Sequence, residues 1–129
     1  MADTVYVVNN GLGLVTAELL TSNHKYVAWG TGTTAATVTD AALETAAAPT
    51  NVTAATGTQT QQTTTTSNDT YQIVATITAG GALAVTEVGI FNQATLSGAT
   101  MYLHGTFSPI NVSSGDSIQF TIKTVFDQV

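Results

Sequence analysis

Cysteine is absent from the 129 residues, and the chain has only 2 prolines and 2 lysines or arginines. Without cysteine there are no disulfide staples and no thiolate metal sites, and nothing is implied about redox compartment. Two cations against 8 acidic residues leave a net charge of -6. Two cations neutralise few phosphates, which sets aside nucleic-acid binding and attraction to anionic membranes. No stretch approaches the roughly 18 continuous apolar residues of a membrane span. The opening Met1-Ala2-Asp3-Thr4-Val5 lacks a basic leader before an apolar core, so no signal peptide is expected and the protein is read as made in the cytoplasm.

Threonine is what the chain has in excess: 27 residues, beside 18 alanines and 11 glycines. Its β-branch and polar tip suit a half-solvated pleated strand and disfavour a helix. Hydrophobic residues reach 43%, too many for a disordered acidic tail. A chain of this length buries roughly two-thirds of its unfolded surface, enough for one self-supporting domain.

Thr4 to Val8 reads as a short strand. Leu12, Val15, Leu19 and Leu20 then recur at helical spacing, with Asn9 or Asn10 as cap. Lys25 to Trp29 reads as a strand running into Gly30-Thr31-Gly32-Thr33. A small second helix or turn is expected next, capped by Thr39 or Asp40 and docked by Leu43. Residues 46–56 read as an extended connector, and Gly57 to Thr66 as an exposed edge strand or loop, because its threonines and glutamines leave no face apolar.

Tyr71, Ile73, Ala75 and Ile77 alternate with polar residues, broken only by Val74. Gly80-Gly81 reads as a turn into a strand from Leu83 to Phe91, the pair forming a hairpin. Met101, Leu103, Gly105 and Phe107 share one parity; Tyr102, His104 and Thr106 share the other. After Gly115-Asp116, Ile118, Phe120, Ile122 and Phe126 give the clearest amphipathic strand. Together these elements predict an all-β fold: a single-domain antiparallel β-sandwich or barrel, residues 1–129, with one short N-terminal helix.

Chemistry-bearing residues are few. Glu87 shares strict parity with Leu83, Val85 and Phe91, so either a bulge near Gly89 resets the register or a carboxylate is buried, accepting backbone amides or pairing with Lys25 or Lys123. A Lys-to-Asn isopeptide crosslink promoted by Glu87 is a more remote reading. His24 and His104 lack a carboxylate at ligand spacing, so no metal site is predicted. Gly30-Thr31-Gly32 opens neither a phosphate loop nor a dinucleotide fingerprint, and no Gly-x-Ser-x-Gly elbow is present. No catalytic or cofactor-binding residues are predicted. Glycosylation-type triplets at Asn51, Asn68 and Asn111 are expected by chance in so threonine-rich a chain. Partner contacts are assigned to residues 1–10 as a docking arm, with Thr4, Val5 and Tyr6, to Trp29 as an aromatic anchor, and to Thr58, Gln59, Thr60 and Gln61 as an edge open to augmentation.

Trp29-Gly30-Thr31-Gly32-Thr33-Thr34-Ala35-Ala36, followed by Thr39-Asp40-Ala41-Ala42-Leu43-Glu44-Thr45, resembles a segment recurrent in small virion structural proteins of tailed bacteriophages. Val85-Thr86-Glu87-Val88-Gly89-Ile90-Phe91-Asn92 is similar to a strand of tail-fibre, collar and decoration-type proteins, and Ser114-Gly115-Asp116-Ser117-Ile118-Gln119-Phe120-Thr121 fits the same group. The resemblance spans residues 25–126. It implies a non-enzymatic protein, without cofactor, that docks symmetrically on other virion subunits. The expectation is a capsid decoration or cement protein on the outer capsid surface of the virion, bound to the major capsid protein and assembled as a homotrimer. Fibre and collar proteins continue into a shaft, whereas this sequence stops at Val129, which favours a stand-alone subunit. The alternatives are a tail-associated subunit, such as a collar, adaptor or short fibre, and a carbohydrate-binding adhesion module that would need exposed Trp29 or tyrosines.

Overall fold

A strand with one apolar face needs neighbours for its backbone groups and a second layer for that face, and the chain supplies both. The structure, a computed structural model, describes residues 4–47 and 54–128. It contains helix α1 (Asn9–Leu20) and strands β1 (Tyr26–Gly30), β2 (Ala55–Thr56), β3 (Thr58–Gln62), β4 (Thr70–Thr78), β5 (Leu83–Phe91), β6 (Met101–Val112) and β7 (Ser117–Val125). The strands form two antiparallel sheets, one ordered β2-β1-β5-β6 and the other β3-β4-β7. The protein is an all-β sandwich with one short helix.

The period-two pattern of β4 holds throughout: Tyr71, Ile73, Ala75 and Ile77 are buried while Thr76 and Thr78 face solvent. They meet Val27 and Trp29 of β1 and Val85, Val88 and Ile90 of β5 in one core. Ile118, Phe120 and Ile122 of β7 and Phe107 of β6 pack onto it from the open side. The Trp29 ring meets Phe120 edge-on at 6.5 Å between centroids. Each such side chain contributes about 1.5–3 kcal/mol on burial, so the core, not the polar faces, holds the layers together.

Four local expectations give way to tertiary packing. β4 and β5 are not a hairpin: they lie in opposite sheets, because both apolar faces are needed on the two sides of one core. Gly80-Gly81 therefore sits in a connection that crosses between layers. Residues 4–8 form no strand, since among the described residues no neighbouring edge pairs with them. Helix α1 starts at Asn9 itself, which leaves Val8 as N-cap with no side-chain bond. Thr16 rather than Val15 turns inward, because its hydroxyl reaches the Asn68 carbonyl at 2.7 Å.

Other expectations meet the structure more closely. Gly57 to Thr66 contains β3 at a sheet edge, and Lys25 to Trp29 becomes β1, one residue later. Of the 46–56 connector, Ala46 bridges Gly30 and residues 55–56 form β2, while 48–53 lie outside the described residues. No second helix forms near Thr39; Asp40 closes a turn and Leu43 docks on Ala28, Ala54 and Phe91.

Candidate functional site

The centre of the molecule's polar chemistry is Glu87, and the reason lies in a change of strand register. On β5, Leu83 to Val85 pair with Val112 to Ile110, but Glu87 pairs with Thr106, so β6 carries two extra residues across the shift. Pro109 lies in the looped-out part, where its missing N–H costs no ladder bond. The shift moves the inward position from Val85 to Val88 and turns Glu87 onto the opposite face of the sheet. Glu87 is nevertheless fully buried, covered by the segment 31–47. The shift beside Glu87 lies between Val85 and Glu87 and not at Gly89, where a bulge is expected, and it occurs together with the expected buried carboxylate that accepts backbone amides.

That segment leaves β1 at Gly30 and returns to it through the Gly30–Ala46 bridge and the bonds Thr31 N–H to Thr45 carbonyl and Ala47 N–H to Trp29 carbonyl, each 3.0 Å. Glu87 Oε1 accepts the amides of Gly32 at 3.1 Å and Thr45 at 2.8 Å; Oε2 accepts that of Glu44 at 3.0 Å. The neighbouring Thr86 hydroxyl donates to the Gly32 carbonyl at 2.5 Å. Gly32 is glycine for a steric reason: a Cβ there would lie 2.5 Å from Glu44 Cβ and 2.8 Å from Glu87 Oε1.

His104 completes the cluster from β6. It lies opposite Gly89 and leans along the face toward Glu87, while the space that a Cβ at Gly89 would fill is taken by Phe91, Leu43 and Met101. Its Nε2 is 2.9 Å from Glu87 Oε2 and its Nδ1 2.7 Å from Asp40 Oδ2. Asp40 in turn accepts the Thr37 amide at 2.8 Å and the Thr37 hydroxyl at 2.9 Å. Burial alone would push Glu87's carboxyl up, but the amides of Thr45, Glu44 and Gly32 and the imidazole outweigh it and hold the group below its ordinary value. Burial likewise pulls His104 down, and the Asp40 and Glu87 carboxylates more than reverse this. Asp40 is lowered by the Thr37 amide first and by His104 second.

Both imidazole nitrogens are held by carboxylates, and the His104 side chain is only 7% exposed, whereas that of Asp40 is 27% exposed. Two shallow depressions flank Asp40, one toward Tyr102 and one toward Glu44. Among the described residues no group of three or more His, Cys, Asp or Glu side chains is arranged to hold a metal. The pairing of Glu87 with Lys25 or Lys123 does not occur: Lys25 lies 5.9 Å over the Tyr26 ring, Lys123 is exposed on β7, and the side chain that meets the carboxylate is His104. The remote crosslink reading accordingly finds no lysine at Glu87. Comparison with family models, with curated proteins and with solved structures finds no match for the chain.

The residues assigned to partner contact separate into three environments. Thr4, Val5 and Tyr6 are exposed outside any helix or strand, and Val5 and Tyr6 line a groove with Val125 at the end of β7. Trp29 is fully buried in the core, so it presents no anchor to a partner and no platform to a sugar. Of the β3 group, Thr58 is exposed and Thr60 half-buried, but the amides of Gln59 and Gln61 point at α1. Gln59 Nε2 donates to the Leu19 carbonyl in the last turn of α1 and to the Ser22 carbonyl just past it, at 2.9 and 3.1 Å. Gln61 Nε2 reaches the Gly13 carbonyl and the Thr16 hydroxyl. The sequence reading assigns Gln59 and Gln61 to an open edge and gives His104 no partner, so it misses where all three point; the absence of any apolar face in β3 was the available signal that its side chains serve a polar neighbour.

Proposed function

We propose that the chain is a bacteriophage virion structural protein, a capsid decoration protein that binds the outer surface of the assembled head and stabilises it. The observation that carries this reading is the pair of open edges on one side of the sandwich. Among the described residues β6, of 12 residues, pairs with β5 alone, and β7, of 9, with β4 alone. The two strands face each other across the core, through Phe107 against Phe120 and the Tyr102 hydroxyl on Thr124. Such edges offer rows of backbone donors and acceptors to another protein. The buried polar cluster supports the same reading, since its groups hold the fold together.

Mass action supplies the mechanism. A protein that binds only the assembled shell stabilises it by about 2.7 kcal/mol per site at a hundredfold excess over its dissociation constant. Repeated over a symmetric lattice, that term resists the outward pressure of packaged DNA. The net charge of -6 keeps free copies apart in solution. The partner is the major capsid protein.

The test is co-sedimentation of the purified protein with assembled shells and, in parallel, with unassembled capsid subunits. Retention by shells alone, with a raised temperature of shell rupture, is expected; no retention by shells overturns the proposal. Binding to isolated tails instead favours the tail-associated reading.

A further inference from the structure

Residues 4–8 lie outside any helix or strand and are exposed, with Val5 at 91%, Tyr6 at 75% and Val8 at 65% exposure. The Gln128 side-chain amide donates to the Val7 carbonyl and so holds this segment against the end of β7. A groove of about 600 Å³ joins Val5, Tyr6 and Val7 to Val15 of α1 and Val125 of β7. Asp127 is the one charged side chain on its lining, and the exposed Val8 continues the apolar surface along the chain.

We propose that this face is the contact between two copies of this chain, apposed about a two-fold axis near Val125. Three features select a second copy as the occupant. Apposing two such faces takes the exposed Val5, Tyr6, Val7 and Val8 of both copies out of water together. The patch is also self-complementary in backbone terms. It places a strand-forming segment without a ladder partner beside a β7 edge that, among the described residues, pairs only with β4. An isologous pair sets the two β7 edges against each other, with the 4–8 segments beside them, and leaves β6, the other open edge, to the shell.

Charge supplies the third feature. Lys123 and Asp127 are exposed and flank Val125 by two residues on either side. A two-fold apposition about Val125 sets the lysine of each copy against the aspartate of the other, matching signs in a chain that otherwise repels itself. A dimer thus replaces the trimer expected by analogy. The inference rests on the docking reading for its purpose and on the patch for its geometry.

Sedimentation equilibrium of the intact protein across the micromolar range tests it. The wild type is expected to reach dimer mass. Val5→Asp combined with Tyr6→Asp should raise the dissociation constant roughly 30-fold or more, with unchanged circular dichroism. Lys123→Asp alone should weaken the dimer about tenfold, and adding Asp127→Lys should restore it by exchanging the two signs. A monomer or a trimer at every concentration overturns the proposal, as does a dimer indifferent to these substitutions or a double exchange that fails to rescue. The same proteins offered to assembled shells separate the two ideas: a monomer that still binds shells defeats the dimer alone, whereas a dimer that ignores shells defeats the docking reading.

Discussion

The carboxylate of Glu87 on β5 and the imidazole of His104 on β6 meet at 2.9 Å on the outer face of their sheet, beneath the segment 31–47. Three backbone amides of that segment end on the same carboxylate. One buried anion therefore fixes a stretch of chain that forms no helix and, apart from its bridge at Ala46, no sheet of its own.

Removing that anion should be costly. Glu87→Ala leaves three backbone amides and the His104 imidazole without their acceptor, and a loss of about 3–5 kcal/mol is expected. Urea unfolding followed by tryptophan fluorescence measures it, since Trp29 sits in the core. A loss under about 1 kcal/mol would contradict the clamp.

Stability should depend on pH in a stated direction. His104 is raised in the folded state, so its contribution is complete below its unfolded value, about pH 6.5, and fades as pH rises through the higher folded value. Glu87 and Asp40 are lowered, so theirs are complete above the unfolded carboxylate values, about pH 4, and fade as pH falls further. Stability should peak between about pH 4.5 and 6.5. Urea midpoints across pH 4–9 check this, and His104→Gln should flatten the alkaline decline. Stability that climbs steadily above pH 7 would be the opposite sign.

Space at Gly32 gives a sharp comparison. Gly32→Ala forces a Cβ against Glu44 and the Glu87 carboxylate, and should cost about 1–3 kcal/mol. Gly80→Ala meets nothing within 4 Å and should stay within about 0.5 kcal/mol of wild type. Thermal melts of the two variants decide whether close approach explains the glycine.

Gln59 is expected to act as the end-cap of α1. Its amide serves Leu19, Ser22 and the Tyr71 hydroxyl, so Gln59→Ala should cost about 1–3 kcal/mol. Hydrogen exchange should accelerate in the last turn of α1 more than in β4. Uniform acceleration would assign the loss to β3 instead.

The sequence disclosed the layers more fully than their connections. Alternation over 71–77 and 118–122 was legible because each strand keeps one face on the core for its whole length. What Gly80-Gly81 joins was not, since a glycine pair turns a hairpin and crosses between sheets equally well. Glu87 announced itself by breaking its strand's parity, but its partner did not: His104 is brought near by a register shift on β6, and Asp40 by a segment 64 residues away. Trp29 was misjudged because a large aromatic beside Gly30-Thr31-Gly32 reads the same from sequence whether it faces a partner or the core.

The most direct test of the account is the stoichiometry of this chain relative to the major capsid protein in purified particles, by quantitative mass spectrometry. A copy number on the scale of the shell lattice is the expected result. A handful of copies per particle, or none, would contradict it.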